Sequence, residues 1–202
     1  MADYQHDRNE AWQLLNEYVK SESLLKHALA VEAVMRHFAS LFNEDPDKWG
    51  IIGLLHDIDF ERYPEEHCHK VREILEPGAW PEPYIRAIES HGYKLVSDVE
   101  PLENVEKVLY TIDELTGLVS ATAILRPSKS LFDLNVKSVK KKWKQKSFAM
   151  GVNRQVIEDG AQMLQMDLDY VIEHTIKGMR DVAGELGLNG NPEMEKAQGL
   201  AH

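Results

Sequence analysis

The stretch IIGLLHDIDFERYPEEHCHK, residues 51–70, ends an apolar run with His56 and Asp57. Burying an ionised carboxylate is costly unless it is paired or binds a metal ion. The two neighbours could therefore form a buried salt bridge, or they could belong to a polar site completed by other segments. The rest of the sequence decides between these interpretations.

Composition places the chain among ordinary globular proteins. Its 202 residues and 23.1 kDa suit one domain with a substantial core. Hydrophobic residues make up 43% and charged residues 28%. The net charge of −11 argues against a surface for broad nucleic-acid binding, so we do not expect a nucleic-acid partner.

Cysteine usage and apolar patterning indicate the compartment. The single cysteine, Cys68, excludes an internal disulfide and fits a reducing environment, and we interpret it as structural. The N-terminal sequence lacks the apolar core of a signal peptide, and no stretch is long enough to span a bilayer. We therefore expect a cytoplasmic protein that does not contact membranes; the sequence leaves its oligomeric state open.

Helical periodicity predicts an all-α fold. His27, Val31, Val34 and Phe38 share one helix face, and residues 101–125 form the longest periodic segment. Residues 51–58 favour a buried helix over a short strand, and 153–186 are predicted to be one long helix. The expected organisation is one helical domain over 1–188, including a C-terminal helical extension, followed by a flexible tail over 189–202.

Four further side chains are predicted to point inward with the pair at 56–57. They are His27, His67, His91 and Asp113, each from a separate segment. Imidazole nitrogens and carboxylate oxygens suit iron, manganese, nickel or zinc. The lack of a cysteine ligand pattern argues against a structural zinc site.

The order His27, His56-Asp57, Asp113 resembles the HD-domain superfamily of metal-dependent phosphohydrolases, in particular its HDIG-like subset. The strings GLLHDID and IDELTGLVSA carry the similarity, which covers roughly residues 24–125. The resemblance implies an HD-domain helical bundle that holds one or two divalent transition metals (Fe, Mn, Ni or Zn). It implies that one metal is held by His27, His56, Asp57 and Asp113, and a second by His67, His91 and the shared Asp57.

The chain departs from many members directly after the His-Asp motif. Asp59 and Phe60 stand where many have Gly-Lys, a lysine that contacts substrate in some branches, so those substrates are not transferred to this chain. Asp57 and Glu61 are the predicted catalytic residues, with Asp59 as another acid for proton transfer. His69 is the alternative to His67, because residues two apart on a helix do not face one point.

Basic residues could contact a substrate phosphate. Six lysines lie between positions 137 and 146, and such a run is usually a solvated helix face, although it could attract an anion. We predict Lys140, Arg126 and Arg154 as substrate-binding residues, since guanidinium groups grip phosphate in bidentate fashion.

The favoured function is hydrolysis of a phosphate ester by metal-activated water. The partner would be a small phosphate-containing molecule: a phosphomonoester, a phosphodiester or a nucleotide. Two alternatives remain at this stage. One is a di-iron oxygenase of the HD-like type, and the other is a non-catalytic metal-binding module.

Overall fold

A computed structural model describes residues 6–190, and this range is all-α, as predicted. Residues 51–55 are helical, which excludes the alternative strand. Short 3₁₀ turns cover Pro64–Glu66 and Glu76–Gly78. The nine α-helices of the described range are α1 (Arg8–Tyr18), α2 (Glu22–Phe42), α3 (Pro46–Leu55), α4 (Val71–Leu75), α5 (Glu82–Ser90), α6 (Asn104–Ile124), α7 (Val136–Trp143), α8 (Arg154–Met163) and α9 (Leu168–Arg180).

The two 21-residue helices, α2 and α6, form the centre of the bundle. Helix α2 packs against α3, α6 and α9, while α6 also packs against α5, α7 and α8. Val31, Val34 and Phe38 are fully buried, which confirms the predicted apolar face of α2. Removal of such faces from water is the main favourable contribution to folding.

A tight turn brings α3 against α2. Asn43 ends α2 in the left-handed region at φ 56°, and Asp45 caps α3 by accepting backbone N–H groups of its first turn. Gly53 allows close contact, since a Cβ there would lie 3.1 Å from the Val31 carbonyl oxygen. The turn therefore places His56, at the end of α3, beside the inner face of α2.

The predicted single helix over 153–186 is wrong. The structure divides it into α8 and α9 at a turn, where Gln165 adopts a left-handed φ of 54°. The Asp167 carboxylate accepts the N–H of Asp169 and starts α9 anew. The break lets α8 pack against α6 while α9 packs mainly against α2.

The described part of the C-terminal segment contacts the bundle. The Leu131 N–H donates to the Leu188 carbonyl at 2.9 Å, and Asn189 forms an antiparallel bridge with Ser130. Residues 191–202 of the predicted tail lie outside the described residues. Within 6–190, no helix combines the length and apolarity that crossing a bilayer requires.

We expect Gly178→Ala to destabilise the protein through the α2–α9 contact. The added Cβ would lie 2.9 Å from the Val34 Cα and 3.0 Å from the His37 Cβ. Overpacking of this kind costs about 1–3 kcal/mol, which exceeds the roughly 1 kcal/mol gained when alanine replaces glycine in a helix. Chemical denaturation measures the change in unfolding free energy.

Gly184→Ala is the matched control, because nothing lies within 4 Å of the Cβ it would add. Its stability should stay within about 0.5 kcal/mol of the wild type. If Gly178→Ala were as stable as this control, the close approach of α2 and α9 would be incorrect.

Candidate metal centre

Six polar side chains from five places in the chain converge between α2, α3, α5 and α6. Most of them lie at helix ends or in the loop after α3. A side chain at a helix end can point inward without replacing an apolar side chain of the helix interior. The members are His27 of α2, His56 at the end of α3, Asp57 directly after it, His67 after the first 3₁₀ turn, His91 at the end of α5 and Asp113 of α6.

Four of these residues form the first half of the cluster. The Nε2 atom of His27 lies 3.1 Å from the His56 Nε2 and 2.8 Å from the Asp113 Oδ1. The His56 Nε2 lies 3.4 Å from the Asp113 Oδ1 and 3.4 Å from the Asp57 Oδ2. Two imidazoles and two carboxylates thus surround one point.

The second half lies on the other side of Asp57. The Nε2 atoms of His67 and His91 are 3.1 Å apart. They lie 3.5 and 3.6 Å, respectively, from the Oδ1 atom of Asp57. The two oxygens of one carboxylate therefore face two different pairs of histidines.

A second layer of hydrogen bonds orients the imidazoles. The Nδ1 atoms of His56 and His91 lie 2.8 Å and 2.6 Å from the carbonyl oxygens of Gly53 and Ile88, and the His67 Nδ1 lies 2.8 Å from the Asp59 Oδ1. An Nδ1 that donates to such an acceptor carries the proton of the neutral ring. The Nε2 lone pairs are then directed at the shared centre, the arrangement found in metal sites.

The donor set fits divalent transition metals. Two ligand atoms held about 2.1 Å from an ion at right angles are about 3.0 Å apart, and wider angles give longer separations. The separations of 2.8–3.7 Å around Asp57 match this spacing on both of its sides. Imidazole lone pairs 3.1 Å apart repel each other unless a cation or a proton lies between them.

Neighbouring carboxylates favour protonation of two of these imidazoles, His56 and His67. Burial alone would lower the pKa of His56, but the carboxylates of Asp57 and Asp113 raise it to about 10. Burial also opposes the charged form of His67, yet its pKa rises to about 9, chiefly through Asp59. Conversely, the neighbouring histidines hold the pKa of both cluster carboxyls low despite burial. Metal ions and protons therefore compete for the same nitrogens.

Cys68 lies closer to the cluster than its predicted structural role implies. Its side chain is buried, its backbone adopts a left-handed φ of 68°, and its Sγ atom is 3.8 Å from the His91 Nδ1. His67, Cys68 and His91 form a group of side chains that could hold a metal. No spacing pattern in the sequence points to this sulfur, and its adjacency to His67 is the one available signal.

The structure distinguishes between the candidate histidines and acids of the loop after α3. His67 lies in the cluster and His69 is exposed. Asp59 is fully buried and accepts bonds from His67 and the Lys70 N–H, so it is a positioning residue. The structure places Glu61, the other predicted catalytic residue, against the backbone before α2. Its Oε2 accepts the N–H groups of Lys20 and Ser21 at 2.8 and 3.0 Å.

The three cations predicted to bind phosphate contact other groups of the protein. Lys140 pairs with Asp169 at 2.6 Å, and Arg126 pairs with Asp133 at 2.7 Å. The Arg154 guanidinium donates to four backbone carbonyl groups and so stabilises the segment that precedes α8. None of the three cations lines the cavity next to the cluster.

That cavity has a volume of about 270 Å³ and is lined by five of the six cluster residues. The sequence did not predict the remaining walls, because they come from loops and helices whose relative positions only the fold defines. The other lining residues are Phe60, Gly92, Leu95, Val96, Glu114, Gly117, Val152 and Val156.

A helical bundle with histidine and aspartate ligands of this order defines a class of metal-binding domain. Residues 24–122 match the family model described as HD domain. Residues 24–122 are accordingly an HD domain, and domains of this superfamily are generally metal-dependent phosphohydrolases that bind divalent metals. No curated protein and no solved structure matches the chain.

We expect Asp59→Asn to weaken the half of the centre that contains His67. The amide retains one acceptor but places an NH₂ group near the Lys70 N–H, so the imidazole loses its fixed orientation. Loss of such a partner lowers metal affinity about 10–100-fold. Chelator competition with metal analysis measures the affinity of each bound equivalent.

The exposed carboxylate of Asp98 provides the control variant, Asp98→Asn. It should bind metal as the wild type does. Unchanged affinity in Asp59→Asn would show that the contact between Asp59 and His67 does not orient a ligand.

Proposed function

We propose that the protein is a metal-dependent hydrolase of a phosphate ester. The observation that carries this proposal is the position of Asp57, whose two oxygens face separate histidine pairs beside an open cavity. A shared carboxylate of this kind supports two metal ions next to a substrate. Membership of a superfamily of phosphohydrolases supports the same chemistry.

Each cluster residue has a role in this proposal. His27, His56 and Asp113 would hold one metal, His67 and His91 would hold the other, and Asp57 would contact both. The bound metals, which we propose are Fe, Mn, Ni or Zn, supply the activated water and neutralise charge on the phosphoryl oxygens. Asp57 would be catalytic because, by contacting both metals, it would position the activated water relative to the phosphoryl group.

The remaining groups orient the imidazoles and limit the access of water to the centre. Asp59 and the carbonyls of Gly53 and Ile88 fix three imidazoles, so the ligand atoms need little reorganisation when substrate binds. His56 and His91 are almost fully buried, which keeps bulk water from one side of the centre. The cavity admits a small molecule on the other side.

The test is a reconstitution experiment under argon. Metal-free protein is loaded with Mn²⁺, Ni²⁺, Fe²⁺ or Zn²⁺ and assayed with 4-nitrophenyl phosphate and its bis-ester. We expect metal-dependent hydrolysis without oxygen. A His56→Ala, Asp57→Ala double variant should lose more than about a hundredfold in kcat/KM, since losing an outer partner alone costs 10–100-fold.

Glu61→Gln and Lys140→Gln are the controls, and both should retain wild-type activity. Glu61 contacts backbone N–H groups before α2 and Lys140 contacts Asp169, so neither touches the centre. Turnover that requires oxygen would instead identify the oxygenase alternative. Bound metal with no turnover of either kind would identify a non-catalytic module.

A further inference from the structure

Gly117 is an unexplained glycine in the interior of α6. It lies four residues after Asp113, so both residues occupy the same helix face, and both line the cavity. Glycine inside a helix is destabilising relative to alanine. A glycine that destabilises its helix is explained by close packing, by an unusual backbone conformation or by a function.

Packing and conformation do not provide that reason. A Cβ on Gly117 would meet only a Val152 methyl group at 3.6 Å, an ordinary contact, and the backbone φ is not left-handed. Gly160 of α8 is different, because a Cβ there would lie 3.0 Å from the Thr111 Cα of α6. The bundle thus needs glycine at 160, whereas at 117 glycine leaves open space in the cavity.

The walls around this space are apolar. Phe60, Leu95 and Val96 line the cavity although 40%, 49% and 44% of their surfaces, respectively, are exposed, and Val152 and Val156 line it as well. Phe60 also contacts the edge of the His67 ring, with centroids 5.1 Å apart. Exposed apolar side chains gathered beside a polar centre are typical of a site for an organic group.

Charge restricts what the cavity can bind. Among the described residues, no lysine or arginine lines it, and Glu114 is the one carboxylate of the lining outside the cluster. An anionic group away from the metal ligands would lose hydration without gaining a cationic partner, and it would be repelled by Glu114.

We propose that this cavity binds the organic group of a substrate that carries a single phosphate. This organic group is uncharged and largely apolar, and Gly117 determines the volume available to it. The inference rests on the proposed function, because it assumes that the phosphate lies at the cluster. It selects one class among the phosphate esters: esters of small apolar alcohols or phenols rather than nucleoside polyphosphates.

The first test is calorimetric binding of phosphonates to the metal-loaded protein, which requires no turnover. Benzylphosphonate should bind at least about tenfold more tightly than methylphosphonate, since the ring buries apolar surface. 4-Methylbenzylphosphonate should match benzylphosphonate, while 4-carboxybenzylphosphonate, of similar size but with a second charge, should bind at least about tenfold more weakly.

Substitutions at Gly117 form the second test. Gly117→Ala should raise the midpoint of thermal unfolding, because α6 gains helix propensity, and should reduce the preference for benzyl over methyl. Gly117→Leu should abolish the preference. Gly151→Ala is the control, since its Cβ meets nothing within 4 Å and residue 151 does not line the cavity. Metal content is measured for every variant.

Four results would overturn the inference. They are equal affinities for the benzyl and methyl compounds, tight binding of the carboxybenzyl compound, an undiminished preference in both Gly117 variants, and absence of binding by every phosphonate. A protein that shows the predicted preferences but hydrolyses no phosphate ester contradicts only the proposed function.

Discussion

The carboxylate of Asp57 is the constraint around which the bundle is arranged. Its two oxygens meet two histidine pairs in a largely buried region, and a carboxylate there is unfavourable without such partners. Each partner comes from a helix or helix end that apolar packing holds in place. Close approach at Gly53 brings α3 onto α2, so the same contact that buries apolar surface also sets His27 3.1 Å from His56.

The helical ligands were predictable because helix periodicity defines faces. His27 lies on the apolar face of α2, and Asp113 lies between buried residues of α6, so inward direction followed from spacing alone. The position of His67 in the cluster was predictable through the resemblance, although α4 begins at Val71 rather than at His67. The positions of Asp59 and Cys68 beside the cluster were not predicted. The direction of a side chain in a loop depends on backbone angles, such as the left-handed φ of Cys68, and the local sequence does not determine these angles.

Charged side chains were the least predictable part of the site. Glu61 lies four residues from Asp57 in sequence, yet its partners are N–H groups forty and forty-one residues away, which only the tertiary fold brings near. Arg154 donates to the carbonyl of Trp143, the last residue of α7, and to that of Phe148 in the loop before α8, so its charge stabilises local structure. A run of lysines indicates a solvated face, but the packing of α7 against α6 and α9 decides where that face points. Sequence therefore predicted which histidines and aspartates cluster better than it predicted where the other charged side chains lie.

The distribution of charge explains why selectivity would lie in the cavity wall. The chain carries a net charge of −11, so its overall field does not attract an anion. The lysines of α7 do not line the cavity, so they make no direct contact with a group bound there. In the proposed function, affinity for a phosphate group would then arise at short range from metals held around Asp57. Because that attraction would be common to all phosphate esters, discrimination would depend on neighbours that differ in shape and polarity, namely Phe60, Val152 and the open space at Gly117.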